Sequence, residues 1–152
     1  MNSKQLRELV RETLEYLDPV IPYSKQAEDL VLMTIAHESH NGMYLRQVEG
    51  PALSLVMMEP ITHDDTWVNF LQFRRNLASL LEGISVGGTA EELVWNLKYA
   101  IAMCRVHYYR VPEALPDDLI GLSDYAKKYY NTELGKATAE KYLDAYYYFY
   151  GA

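Results

Sequence analysis

Apolar residues recur at helical spacing along most of the chain, interrupted by prolines, glycines and short polar runs. Leu6, Leu9, Val10, Thr13, Leu14 and Leu17 share one face of a first helix that Ser3 is placed to cap. Asp18-Pro19 stops it, because the residue before proline is pushed out of the α region, and Pro22 keeps the connection extended. Ser24 caps a second helix, in which Leu30, Val31, Met33, Thr34 and Ile35 form a broad apolar stripe. Asn41-Gly42 is a C-terminal stop, so Glu38 falls in the last turn of that helix.

From Met43 to Pro60 the periodicity lapses. Tyr44, Gln47, Val48 and Gly50-Pro51 suggest an extended or hairpin-like excursion, and Ala52 to Glu59 reads equally as a short helix or a buried extended run. Thr62-x-x-Asp65 has the spacing of a capping box and predicts one helix to about Leu81, with Trp67, Phe70, Leu71, Leu77, Leu80, Leu81 and Ile84 facing inward. Gly87-Gly88 reads as a flexible joint. Thr89-x-x-Glu92 then caps a helix carrying Leu93, Leu97, Ala100, Ile101 and Cys104. Pro112 and Pro116 bracket a polar connection, and Leu119 to Tyr130 form a helix ending in Asn131. Lys136 to Thr138 precede a last helix, Ala139 to Tyr150, with Tyr142, Leu143, Tyr146 and Phe149 on one face. The expectation is an all-α single domain over residues 1–152, with six or seven helices and a small irregular or β insert after the second.

Composition narrows the function classes. At 152 residues the chain is long enough to bury a core, and 49% hydrophobic with 23% charged residues is ordinary for a globular protein. A formal net charge of −7 argues against nucleic acid or an anionic membrane as the main partner. The one cysteine, Cys104, excludes an intrachain disulfide, and its apolar surroundings predict a buried thiol. No apolar run approaches the ~18 residues of a membrane helix, and the N-terminus lacks a signal-peptide core, so synthesis in the cytoplasm is expected. Fourteen tyrosines, mostly in the last third, suit helix faces that meet other chains or a wet groove.

His37, Glu38, Ser39 and His40 invite a zinc reading, but the histidines stand at i and i+3 rather than the i and i+4 of a zinc-protease helix, and no metal is expected. A carboxylate near a helix C-terminus and beside apolar walls is disfavoured as the anion, which suits Glu38 to be a general acid; protonated histidines beside it would pull the other way.

The order of a helix ending in Glu38-Ser39, a turn, and then Ala52, Ser54, Leu55, Met57, Pro60 and Thr62 resembles the lysozyme-like lytic transglycosylases, which cleave the glycan strands of peptidoglycan and are common in phages. Ala52, Leu55, Pro60 and Thr62 match that pattern, whereas Ser54 stands where the family has Gly and Met57 where it has Gln. The resemblance implies a lysozyme-like fold with Glu38 as the acid/base. It implies that Ser39, Ser54 and Met57 border the substrate groove and that Tyr130 belongs to a Tyr-Asn element on its floor. From the residues themselves, His40 reads as a groove-lining polar contact, Glu59 as a possible second carboxylate for a hydrolytic variant, and Tyr108 either as an aromatic wall that stacks on sugar rings or as an edge to the core. The resemblance implies no cofactor. The partners implied are a peptidoglycan glycan strand and other virion proteins, with a homo-oligomer in the virion as one arrangement. The acidic, tyrosine-rich chain without an export signal fits a virion or its ejection apparatus. Three readings stay open: an enzyme; a structural virion protein that kept the fold and lost the chemistry; and a cytoplasmic helical adaptor with no wall connection, which a Glu38 buried in a salt bridge with no groove beside it would favour.

Overall fold

A computed structural model describes residues 1–131 and 135–151. Among them are eight α-helices and no β-sheet, so the chain is all-α. The organising element is α2 (Lys25–Glu38), capped by the Ser24 side chain, which accepts the Ala27 N–H at 3.1 Å. Every residue from Leu30 to Ala36 is buried. A helix buried on all sides cannot be amphipathic, which is why its apolar stripe is so broad in sequence. Around it pack α1 (Ser3–Leu17), α6 (Leu97–Tyr109), α7 (Leu119–Ala126) and α8 (Ala139–Tyr150). The stripe of α1 is buried as its spacing predicts, except that Leu9 is half-buried. Asn2, not Ser3, caps α1, its side-chain oxygen accepting the Gln5 N–H at 3.0 Å.

The long helix expected from Thr62 to Leu81 is instead α3 (Pro60–Asn69), a 3₁₀ turn at Leu71–Phe73 and α4 (Arg75–Ile84). The chain enters α3 on Pro60, which has no N–H to lose in the first turn. Thr62 and Asp65 therefore lie inside the helix, and Asp65 accepts from Asn69 and Arg110 rather than closing a capping box. The break turns Leu71 into the core and lets α4 lay Leu77, Ala78 and Leu81 against the rest of the bundle.

The second capping box also dissolves. Glu92 opens the short α5 (Glu92–Trp95), but its buried carboxylate reaches the preceding loop, accepting from the N–H groups of Val86, Gly87 and Gly88, from Ser85 Oγ and from Asn96 Nδ2. Gly87-Gly88 is thus tied to a carboxylate rather than a free joint, and Gly88, at φ +71°, occupies a conformation that favours glycine. Asn96 then ends α5 and caps α6 by accepting the Tyr99 N–H. These two breaks account for eight helices where the spacing predicts six or seven. α7 continues as a single π turn, Lys127–Asn131, to the expected Asn131, and Thr138 caps α8. Cys104 is fully buried, and burial pushes its thiol well up. No helix among the described residues is long and apolar enough to cross a membrane.

Candidate active site

Glu38 is the last residue of α2. Behind it the chain turns sharply through His40, Asn41 and Gly42, all at positive φ. Ser39 fixes this turn: its buried hydroxyl donates to the Ile35 carbonyl at 3.0 Å and accepts the Gly42 N–H at 2.8 Å. Asn41 adds a tie to both chain ends, bonding Ser3 Oγ and accepting from the Tyr150 hydroxyl. The helix end that presents Glu38 is therefore held from three directions.

The insert that follows is a folded loop without strands. Gln47 N–H donates to the Ala52 carbonyl across the Gly50-Pro51 turn, and Leu53 and Met58 exchange both backbone bonds at 2.9 Å. The hairpin-like expectation holds for this backbone, in a tighter form than a strand pair. Ser54 (φ +74°) and Met57 (φ +47°) both take left-handed backbone. Left-handed backbone favours glycine, and the serine at 54 carries roughly 1 kcal/mol of strain or more. Ser54 Oγ partly compensates by accepting the Val56 N–H at 3.2 Å.

Between this insert and the bundle lies a cleft of ≈ 520 Å³. Glu38 forms part of its wall. The insert contributes Tyr44, Arg46, Gln47, Val48 and Met57; Glu59 and Thr62 come from the entry to α3, His107 from α6, and Tyr129, Tyr130 and Asn131 from the π turn. The Tyr130 hydroxyl donates to the Val56 carbonyl at 2.5 Å, tying the π turn to the insert across the floor. His107 Nε2 donates to the Tyr129 carbonyl at 3.0 Å, and burial lowers the imidazole pKa, so this ring is a neutral strut.

Glu38 is half-buried. Its Oε2 accepts a hydrogen bond, 2.5 Å long, from the Tyr142 hydroxyl of α8. Burial raises the carboxyl pKa, and the Tyr142 bond, which favours the anion, offsets part of that. The Tyr142 phenol is itself pushed far up, by burial first and then by Glu38, so it stays a donor. His37 does not pull the other way: burial, reinforced by Lys141, lowers its pKa, and its ring packs on Tyr142 at 4.1 Å. The result is a carboxyl group whose charged form burial disfavours, held by the Tyr142 hydroxyl in the wall of the cleft.

Of the positions named from sequence, Glu38, Met57, Glu59 and Tyr130 meet in this cleft. The other four do not line it. Ser39 is buried in the turn, and Ser54 is buried because its side chain closes the insert's own backbone. Tyr108 lies beneath the floor, bonded to Thr34 at 2.8 Å and stacked under Tyr130 at 5.3 Å, because its helix faces the core there. His40 is exposed on the far side of the turn, against Tyr148 and Phe149. His37 and His40 thus point to different surroundings, and no group of three or more His, Cys, Asp or Glu among the described residues is placed to hold a metal.

Sequence reasoning missed Arg46 and Gln47 as cleft residues and Tyr142 as the partner of Glu38. Tyr142 carried a signal: a tyrosine on a core-facing helical position brings a hydroxyl that needs a buried partner. Comparison with known proteins finds no matching family, no matching curated protein and no matching solved structure.

Proposed function

We propose that the protein is a phage, virion-associated lysozyme-like enzyme that cleaves peptidoglycan glycan strands, with Glu38 as general acid/base. The observation that carries this reading is a carboxyl group with a raised pKa, held by the Tyr142 hydroxyl, in the wall of a cleft roomy enough for sugar rings. In the transglycosylase form, Glu38 gives its proton to the glycosidic oxygen between N-acetylmuramic acid and N-acetylglucosamine, and the bond from that oxygen to the anomeric carbon breaks. The muramic 6-hydroxyl oxygen closes on the same carbon and the Glu38 carboxylate takes its proton, leaving a 1,6-anhydro end and a regenerated acid. No water is consumed. Tyr142 holds the carboxyl in place through both steps. Tyr44 and Tyr129, also in the lining, offer aromatic faces to pyranose rings.

Glu59 lines the same cleft and supports a hydrolytic variant, in which a second carboxylate activates water. The test is incubation of purified protein with peptidoglycan sacculi and mass spectrometry of the released fragments, with Glu38→Gln in parallel. Anhydro ends from wild type alone support the transglycosylase. Reducing ends assign hydrolysis and turn attention to Glu59. No release from folded wild type sinks the enzyme reading.

A second reading, a structural virion protein that retains the fold, draws on two features. Ser54 and Met57 depart from the pattern the chain resembles, and the aromatic side chains of Tyr147 and Tyr148 stand exposed on α8. Saturation of sacculi with no cleavage, together with co-purification in virions, favours that reading.

A further inference from the structure

The proposed chemistry employs Glu38, Tyr142 and Glu59 and leaves the charge on Arg46 without a role. Among the described residues, Arg46 is the cationic side chain of the cleft lining, in a chain of net charge −7 whose cleft also carries two carboxylates. Its guanidinium already grips a carboxylate. Nη1 and Nη2 donate to the two oxygens of Glu91, which immediately precedes α5. This is the two-pronged geometry by which arginine recognises carboxylates.

Both side chains of the pair are 57% exposed. A pair this open is screened by water and contributes little to folding. It joins the insert to a segment 45 residues away, and its exposure makes it exchangeable. A ligand carboxylate entering the cleft meets repulsion from Glu38, when ionised, and from Glu59, and finds favourable charge at Arg46.

We propose that Arg46 is the carboxylate receptor of the cleft, and that Glu91 is an internal stand-in which a substrate carboxylate displaces. The proposal rests on the glycan-strand reading and narrows its substrate to strands that bear carboxylates, as peptide-substituted peptidoglycan does. It sets two substitutions in opposition. Arg46→Gln removes the receptor, whereas Glu91→Gln removes its competitor and leaves the receptor in place.

The experiment is co-sedimentation with insoluble sacculi, using the full chain carrying Glu38→Gln so that the polymer stays intact. Sacculi whose carboxylates have been capped as amides serve as the neutral probe. Arg46→Gln is expected to weaken binding about two- to fivefold and Glu91→Gln to strengthen it by a similar factor, the scale of an exposed charge pair. Both effects should vanish on amide-capped sacculi and shrink with added salt. Arg75→Gln, which breaks the exposed pair with Glu82 outside the cleft, should change nothing. Strands stripped of peptides by an amidase are soluble and keep a lactyl carboxylate, so they serve as competitors: displacement of the protein from sacculi assigns the ligand to that group, and unchanged binding assigns it to the peptide.

Equal weakening by Arg46→Gln and Glu91→Gln would show a structural strut and overturn the receptor. So would binding indifferent to amide capping. If wild type cleaves sacculi yet shows either result, the receptor fails and the glycan reading stands. If wild type neither cleaves nor binds, both fall.

Discussion

Two glutamates on the same helix are held in opposite ways. Glu28, in the first turn of α2, is fully buried and surrounded by donors: Arg7, Arg11 and the Tyr23 hydroxyl all reach its carboxylate, with Lys25 nearby. Burial pushes its pKa up, but these hydrogen bonds outweigh it and hold the group down at about 2. Glu38, in the last turn, has Tyr142 as its hydrogen-bond partner among the described residues, and burial raises its pKa. The helix dipole adds to the contrast, favouring an anion at the N-terminal end and disfavouring one at the C-terminal end. Burial alone therefore does not decide a carboxylate's state; the number of donors aimed at it does. One end of α2 carries an anion that locks α1 to α2, and the other carries a carboxyl group whose charged form burial disfavours.

The strongest test of this contrast is activity. Glu38→Gln should lower glycan cleavage by at least ~100-fold, the scale of general acid–base catalysis, while thermal melting stays within about 1 kcal/mol of wild type. Cleavage that survives would move the acid elsewhere, first to Glu59.

Glu28→Gln should do the reverse. Removing the anion leaves Arg7 and Arg11 without their shared partner. The loss should be about 2–3 kcal/mol, below the full value of a buried pair because both arginines are partly exposed. Urea unfolding measures it, and cleavage by the folded fraction should be unchanged. A negligible change in midpoint would erase the distinction between the two ends of the helix.

Tyr142→Phe sharpens the comparison by stripping Glu38 of its donor. The hydrogen bond favours the anion, so its loss raises the Glu38 pKa further. The alkaline limb of the pH–rate profile should then move to higher pH. An unmoved limb would mean that Tyr142 does not set the acid's strength.

The smallest effect is on the pH dependence of stability. Glu28 and Glu92 both have folded pKa values near 2, depressed from the usual 4.5. Their stabilisation is complete above about pH 4.5 and is lost as pH falls toward 2. Glu38 has the opposite sign: with a raised folded pKa, it favours folding below 4.5 and loses that contribution as pH rises through its folded value. Glu38→Gln should therefore raise the melting temperature slightly at pH 8 and leave it unchanged at pH 4. A gain at pH 4 instead would contradict the raised pKa.

Legibility in the sequence tracked how local each interaction is. Ser24, Thr138 and Asp18-Pro19 marked helix ends correctly, because a cap or a proline acts within one turn of itself. The two capping boxes failed although their spacing was right. Pro60 started α3 before Thr62 could cap it, and the Glu92 side chain found five donors in the 85–96 region that outweighed one backbone N–H. Half of the named cleft residues face the cleft. Ser39 and Ser54 were drawn instead into closing their own turns, as short hydroxyl side chains readily do.

What the sequence determined by itself is the all-α class, the central place of the helix ending at Glu38, and an irregular insert before Pro60. These follow from apolar spacing and from prolines and glycines, whose effects reach only a few residues. The tertiary structure decided how each carboxylate is held. Tyr142 meets Glu38 across 104 positions of chain, and Arg46 meets Glu91 across 45. Such pairings depend on how α8 and the insert lie against α2, and no period in the sequence encodes that docking. The reactivity of a glutamate is set by what surrounds its carboxylate, and those surroundings exist only once distant segments have packed together.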